Sequence, residues 1–268
     1  MHPRLLSTLV LIDPVFLDQT SDVGPPPALL TIPRRDIWDT REKAESSLRK
    51  AFKSWDPRAI DKYVQYGLRK LPTALYDSVQ NKDLASSAVT LTTTKHQEAW
   101  IYAQMNLEPR QAGLDRLLLP DWDPVIELPN ISSRPECLIT MRNLPFLRPS
   151  VLYIFGEKSH LAPIKAQDER VSRTGIGTGG SGGAKEEKVE KSIVPRASHL
   201  LAFERPNETA AAAADWIRRW HERWLADEDR MRRYGTKTSE DGMLRMSKAW
   251  IDAASLPLDS SRPKGSKL

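Results

Sequence analysis

Leu5-Leu6-Ser7-Thr8-Leu9-Val10-Leu11-Ile12-Asp13-Pro14 decides the fold: a run of apolar and β-branched residues, of strand length, stopped by an acid and a proline. A run of this kind, without polar alternation, is the pattern of a strand buried on both faces of a parallel sheet. Val151 to Phe155, closed by Gly156, is a second such strand, and Ser192 to Val194 ahead of Pro195 is a weaker third. Three strands are few for a sheet in a domain of this size, so an unpaired edge at Leu5 to Ile12 and poor solubility are expected.

A long insertion separates the first two strands. After the turn-rich Pro25-Pro26-Pro27, residues Arg41 to Trp55 place Ala44, Leu48, Phe52 and Trp55 at helical spacing. Asp56-Pro57 then supplies an N-cap with proline at the first helical position, and Ile60, Tyr63, Val64 and Leu68 mark the apolar face of a second helix, stopped at Leu71-Pro72. Further helix is expected over Asp77 to Leu84 and Lys95 to Leu107. Beyond it, repeated prolines break the chain, with a loop over Asp121 to Pro129. Pro163 to Val171 reads as helix, and Gly175 to Gly183 as a mobile glycine loop. Pro206 opens a long helix with Trp216, Ile217, Trp220 and Trp224 on one face, read as docked on the sheet. The chain beyond Gly235 is expected to be loosely ordered, with one short helix around Met243 to Ile251.

The composition, 40% hydrophobic and 28% charged, is that of a globular chain able to bury a core. No apolar run reaches the ~18 residues of a membrane span, and none near the start resembles a secretory leader. The single Cys137 rules out an internal disulfide framework and a cysteine-rich zinc site. A net charge of +5 comes from Lys and Arg interleaved with acids, without the basic stripe and stacking aromatics of a nucleic-acid binder. Ser266-Lys267-Leu268 is the tripeptide read by the peroxisomal import receptor, which implies that receptor as a partner and the peroxisomal matrix as the destination.

A strand ending in an acid, a long insertion, a strand ending in Gly, then a strand, a His and an amphipathic helix match the order of the second half of an α/β-hydrolase. The motifs add to this. Arg35-Asp36-Ile37-Trp38, Trp55-Asp56-Pro57-Arg58, Leu144-Pro145-Phe146-Leu147-Arg148-Pro149-Ser150, Gly179-Gly180-Ser181-Gly182-Gly183-Ala184-Lys185 and Ser198-His199-Leu200 resemble a group of fungal α/β-hydrolases. That group includes peroxisomal lipase-like proteins and enzymes of host-selective toxin biosynthesis. The resemblance implies an incomplete α/β-hydrolase fold with a mainly helical cap. Residues 1–34 would begin the core, 35–145 form the cap, 146–228 complete the core, and 229–268 form a flexible tail carrying the targeting signal.

The same resemblance makes His199 the general base and Asp13 the acid that orients it, with Glu157 as the alternative acid and Ser159 where an Asp is often found. The turn glycine usual before the histidine is replaced by Ser198. Ser181 satisfies G-x-S-x-G on paper, but it follows the acid and lacks the strand and helix that strain a nucleophile outward. The elbow serine is therefore expected ahead of Leu5, where only Met1 to Arg4 stand. The chain as written is expected to be truncated and without turnover of acyl esters. In complete form it would be a serine hydrolase of apolar ester or thioester acyl compounds, and no metal or organic cofactor is implied. A non-catalytic pseudoenzyme that binds a ligand or partner is the rival reading. Epoxide opening, kept open by Tyr63, Tyr66 and Tyr102, is a further one.

Overall fold

The computed structural model describes residues 5–16, 27–76, 86–102, 135–237, 242 and 244–254. In chain order its elements are β1 (Thr8–Ile12), α1 (Pro27–Thr31), β2 (Ile37–Trp38), α2 (Arg41–Ala51), α3 (Pro57–Tyr66), β3 (Leu68–Lys70), β4 (Val89–Leu91), α4 (Lys95–Tyr102), α5 (Pro135–Asn143), β5 (Ser150–Gly156), α6 (Ile164–Arg173), β6 (Val189–Val194), α7 (Leu201–Glu204), α8 (Pro206–Lys237) and α9 (Lys248–Ala254). By their contacts these residues form two units, Met1–Ile217 and Arg218–Leu268. The expected helix over Asp77 to Leu84, the loop over Asp121 to Pro129, the end of the Lys95 helix and the terminal tripeptide lie outside the described residues.

β5 is the centre of a parallel three-stranded sheet, ordered β1-β5-β6. All seven of its residues are buried, as its unbroken apolar run requires of a strand covered on both faces. Val151, Tyr153 and Phe155 share one face with Val189 and Ala162, and Leu9, Leu11, Leu147 and Val171 close around them. The register runs Thr8↔Ser150 to Ile12↔Ile154 on one side and Val151↔Val189 to Gly156↔Val194 on the other. The C-terminal tips of β1 and β6 therefore flank the tip of β5, and side chains placed just beyond either strand meet there.

Only one tryptophan of the expected stripe on α8 is buried. Trp216 is fully enclosed, and its Nε1 donates to Thr8 Oγ1 on β1 at 2.7 Å, whereas Ile217 and Trp224 remain exposed. Helical spacing marks a face, and it does not say how far along the helix that face is covered. Trp216→Ala is expected to cost about 3–5 kcal/mol, read as a lowered urea midpoint.

The insertion is less purely helical than its periodicity predicts. Residues Ile37–Trp38, Leu68–Lys70 and Val89–Leu91 pair as an antiparallel sheet ordered β2-β4-β3. Trp38, Ala44, Leu48, Ile60, Val64, Leu68, Val89 and Leu91 pack into one core, with Phe52, Trp55 and Tyr63 at its margin. α2 stops at Ala51, four residues short of Trp55, and α3 ends against Gly67, where β3 begins. Asp56 caps α3, accepting the Arg58 N–H at 2.9 Å.

Buried Asp36 ties this layer together. Its carboxylate accepts the Tyr76 hydroxyl at 2.5 Å and faces Lys95 Nζ at 3.4 Å, and its carbonyl accepts Thr90 Oγ1 at 2.7 Å. Burial, followed by the hydrogen bond and charge of Asp36, pushes the Tyr76 phenol up to about 12. Because the raised value favours the neutral phenol, Tyr76 stabilises the fold fully below about pH 10 and loses that contribution as pH climbs toward 12. Tyr76→Phe is expected to flatten part of the alkaline limb of a urea-midpoint profile between about pH 9 and 12. An unchanged limb would show that folding does not raise the Tyr76 phenol.

Candidate active site

The site is built where the strand tips meet. One residue past β1, Asp13 still extends the ladder, its N–H donating to Ile154 O at 2.7 Å, and then turns the chain with φ +42°. That left-handed conformation is rare outside glycine but is tolerated by Asp and Asn, and non-glycine residues held in it cluster at functional sites. The turn leaves the Asp13 side chain almost wholly buried. Its Oδ2 accepts two hydrogen bonds, from Ser159 Oγ at 2.5 Å and from His199 Nδ1 at 2.6 Å.

His199 arrives from the opposite side, five residues past β6. The chain reaches it through a turn fastened to the tip of β5: Glu157 N–H donates to Val194 O at 3.1 Å and Lys158 N–H to Ala197 O at 2.8 Å. Gly156 permits this approach, since a Cβ there would lie 2.2 Å from Ser198 O. Ser198 holds the turn in place of glycine. Its N–H and hydroxyl donate to Glu204 at 2.6 and 2.9 Å, and its Oγ accepts the Leu200 N–H at 3.2 Å. The imidazole keeps 31% of its side-chain surface exposed while its carboxylate partner has none. With Nδ1–H donating to Asp13, Nε2 carries the available lone pair, the arrangement a general base requires.

Two neighbours went unread in the sequence. His160 lies edge-on to His199, ring centroids 6.4 Å apart. Arg170, buried on α6, donates to Phe16 O at 2.8 Å and Leu161 O at 3.3 Å, and so clasps the two segments just beyond Asp13 and Ser159. Burial lowers the pKa of its guanidinium, and the nearby Asp13 carboxylate works against that. The Arg170 bond to Phe16 crosses 154 residues and leaves no periodic mark, and only the position of Ser159 gave a hint.

The other candidates stand elsewhere. Glu157 Oε2 accepts the Arg196 N–H at 2.7 Å, which commits it to the turn rather than to His199. Ser181 Oγ accepts the Gly183 N–H at 3.3 Å inside a loop pinned to residues 144–147, with Gly175 N–H on Leu144 O, Gly177 N–H on Pro145 O and Ser181 N–H on Leu147 O. The loop expected to be mobile is thus tied down by its own backbone. Tyr63 packs edge-on against Phe52 and Trp55, Tyr66 is exposed, and the Tyr102 side chain lies outside the described residues. Cys137 is buried. Among the described residues, no hydroxyl is hydrogen-bonded to His199 Nε2, no cluster of three or more His, Cys, Asp or Glu could hold a metal ion, and no helix is long and apolar enough to cross a membrane.

No family model matches the chain. It is 32% identical over 285 residues to a protein of Penicillium roqueforti named Type I acyl-CoA thioesterase mpaH, an alignment that takes in 100% of this chain and 64% of that protein. It is 28% identical over 222 residues to an abhydrolase domain-containing protein of Alternaria alternata, covering 80% and 74%. Among solved structures it superposes on the peroxisomal α/β-hydrolase Lpx1 of Saccharomyces cerevisiae with a TM-score of 0.53 and 12% identity, over 89% of this chain and 57% of that one. The chain therefore spans just under two thirds of the length of the Penicillium relative.

Proposed function

We propose, for a chain that has the α/β-hydrolase fold and fungal relatives of that fold, that it carries the histidine–carboxylate half of a serine hydrolase acting on apolar acyl thioesters. The observation that carries this reading is the His199–Asp13 pair at 2.6 Å, on two strand tips of one parallel sheet. The naming of the Penicillium relative as an acyl-CoA thioesterase supports a thioester over a simple ester. The attacking serine comes from outside the described residues, ahead of the acid in the order nucleophile, acid, histidine.

In this reaction His199 Nε2 takes the proton of the serine hydroxyl as its oxygen adds to the thioester carbonyl carbon. The carbon–sulfur bond then breaks, and the imidazolium gives that proton to the leaving thiolate. His199 next removes a proton from water as its oxygen adds to the acyl ester, and returns that proton to the serine oxygen as the acyl–oxygen bond breaks and the acid leaves. Asp13 stays ionised throughout, holding the Nδ1 proton and offsetting the charge on the ring. Ser159 and Arg170 fix the carboxylate that does this. The insertion, with its aromatic margin at Phe52, Trp55 and Tyr63, shapes an apolar approach. Ser266-Lys267-Leu268 supports delivery to the peroxisomal matrix.

The test is a chimera that keeps the unmatched part of the Penicillium roqueforti relative and carries this chain in place of the matched 64%. It is expected to hydrolyse a long-chain acyl thioester, whereas the 268-residue chain alone does not. A folded chimera without turnover, or turnover that survives His199→Ala, refutes the reading.

A further inference from the structure

Beside the base lies a cavity of about 590 Å³ whose walls come from both layers of the first unit. From the insertion come Lys53 and Asp56, at the corner between α2 and α3, and from the core come Lys158, Arg196, Glu204 and Arg205. The corner is docked firmly. The Trp55 ring stacks on Phe203 with centroids 4.4 Å apart, Asp56 N–H donates to Phe203 O at 2.8 Å, and Arg58 Nη2 donates to Asn207 Oδ1 at 3.0 Å. Ser198, the residue before His199, also lines the cavity.

Four cationic side chains thus share one space with two carboxylates, of which only Asp56 is paired with a cation, Arg58, from outside the lining. Asp56 accepts both Nε and Nη2 of Arg58 at 2.9 Å, and that guanidinium pulls its carboxyl down to about 2. Glu204 accepts the N–H and hydroxyl of Ser198. The side chains of Lys53, Lys158 and Arg196 make no hydrogen bond or ion pair among the described residues. Arg205 reaches only the Glu204 carbonyl, at 3.2 Å, and its Nε is buried without a partner. Arg196 is held besides in a left-handed backbone conformation, φ +59°, by the bond from its N–H to Glu157. Four cations beside a single unpaired carboxylate, Glu204, leave a net positive charge, and a multiply charged anion relieves their mutual repulsion through charge-assisted hydrogen bonds.

We infer that this cavity binds the phosphates of a nucleotide-bearing thioester carrier, the adenosine bisphosphate portion of a coenzyme A thioester, while the acyl carbon lies at His199. The inference rests on the hydrolase reading for what the carrier is doing there. Lys53 from the insertion and Lys158, Arg196 and Arg205 from the core suit a pyrophosphate and a separate phosphate, the arginines forking and the lysines acting as point charges. A cavity of this size lies within the range that takes a small organic ligand, and its open mouth leaves the charges partly screened by salt.

Calorimetric titration of the purified 268-residue chain tests it with four ligands: coenzyme A, its adenosine bisphosphate portion, pantetheine and inorganic phosphate. Coenzyme A and the nucleotide are expected to bind, pantetheine and phosphate far more weakly, with affinity falling as salt rises. Lys158→Glu with Arg196→Glu is expected to weaken coenzyme A by about tenfold or more while leaving any pantetheine binding unchanged. Near-ultraviolet circular dichroism of the double variant establishes that it is folded, and Lys53→Glu with Lys158→Glu serves as the second variant if it is not. Equal binding of pantetheine and coenzyme A, no binding at all, or affinity unmoved in a folded variant overturns the inference. A chimera that hydrolyses pantetheine and coenzyme A thioesters equally well, in a His199-dependent way, would retain the hydrolase reading and discard the anion cavity alone.

Discussion

His199→Ala in the chimera is expected to lower kcat for an acyl thioester by on the order of 10⁴-fold, and Asp13→Asn by about as much. The two losses have different causes. Without the imidazole nothing takes the serine proton or returns it to the leaving sulfur. With an amide in place of the carboxylate, the ring can rest with Nε2 protonated and Nδ1 accepting from that amide, so the base is present in the wrong tautomer. Asp13→Asn is the cleaner substitution because asparagine also tolerates the φ of +42° that the strand-end turn demands, and the side-chain volume is kept. Since both residues serve one proton transfer, the double variant is expected to lose little more than either single one. Losses that multiply would show that His199 and Asp13 act independently, which their 2.6 Å hydrogen bond does not allow.

How much the chain revealed in advance depends on the length scale of each signal. The strand at Ser150–Gly156 was legible because burial on both faces demands an unbroken apolar run. Asp13 and His199 were picked out through the resemblance to fungal α/β-hydrolases, and the structure brings their side chains together past the ends of two strands of one sheet. The small antiparallel sheet of the insertion was not, since strands of two and three residues are too short to show a period of two. Ser159 and Arg170 were missed as partners of Asp13 and its loop for another reason: their contacts cross 146 and 154 residues of sequence. The tryptophan stripe misled in the opposite sense. Its spacing marked the face of α8 that Trp216 occupies, while Trp224, further along the same helix, is exposed. The cationic cavity was invisible too, because Lys53, Lys158, Arg196 and Arg205 are scattered among ordinary surface charges and converge only when the α2–α3 corner sits on α7.

Gly156→Ala should separate positioning from chemistry, because residue 156 touches no reacting atom. Its added methyl would sit 2.2 Å from Ser198 O and 2.7 Å from Ala197 O, both rigid backbone atoms, so the turn carrying His199 has to move. It cannot move freely. Lys158 N–H holds Ala197 O, Glu204 holds Ser198, and Glu157 holds Arg196, so the displacement is passed to the next residue along, the histidine. Overpacking of this kind costs about 1–3 kcal/mol, to be read from the urea midpoint. A shift near 1 Å in a catalytic group lowers turnover by about 10²-fold. The expected signature in the chimera is a kcat loss far larger than any change in KM, with a fold that remains intact at assay temperature. Full activity in Gly156→Ala would mean that the 197–199 turn relaxes without moving the imidazole, and that Gly156 is not what sets the distance between His199 and Asp13.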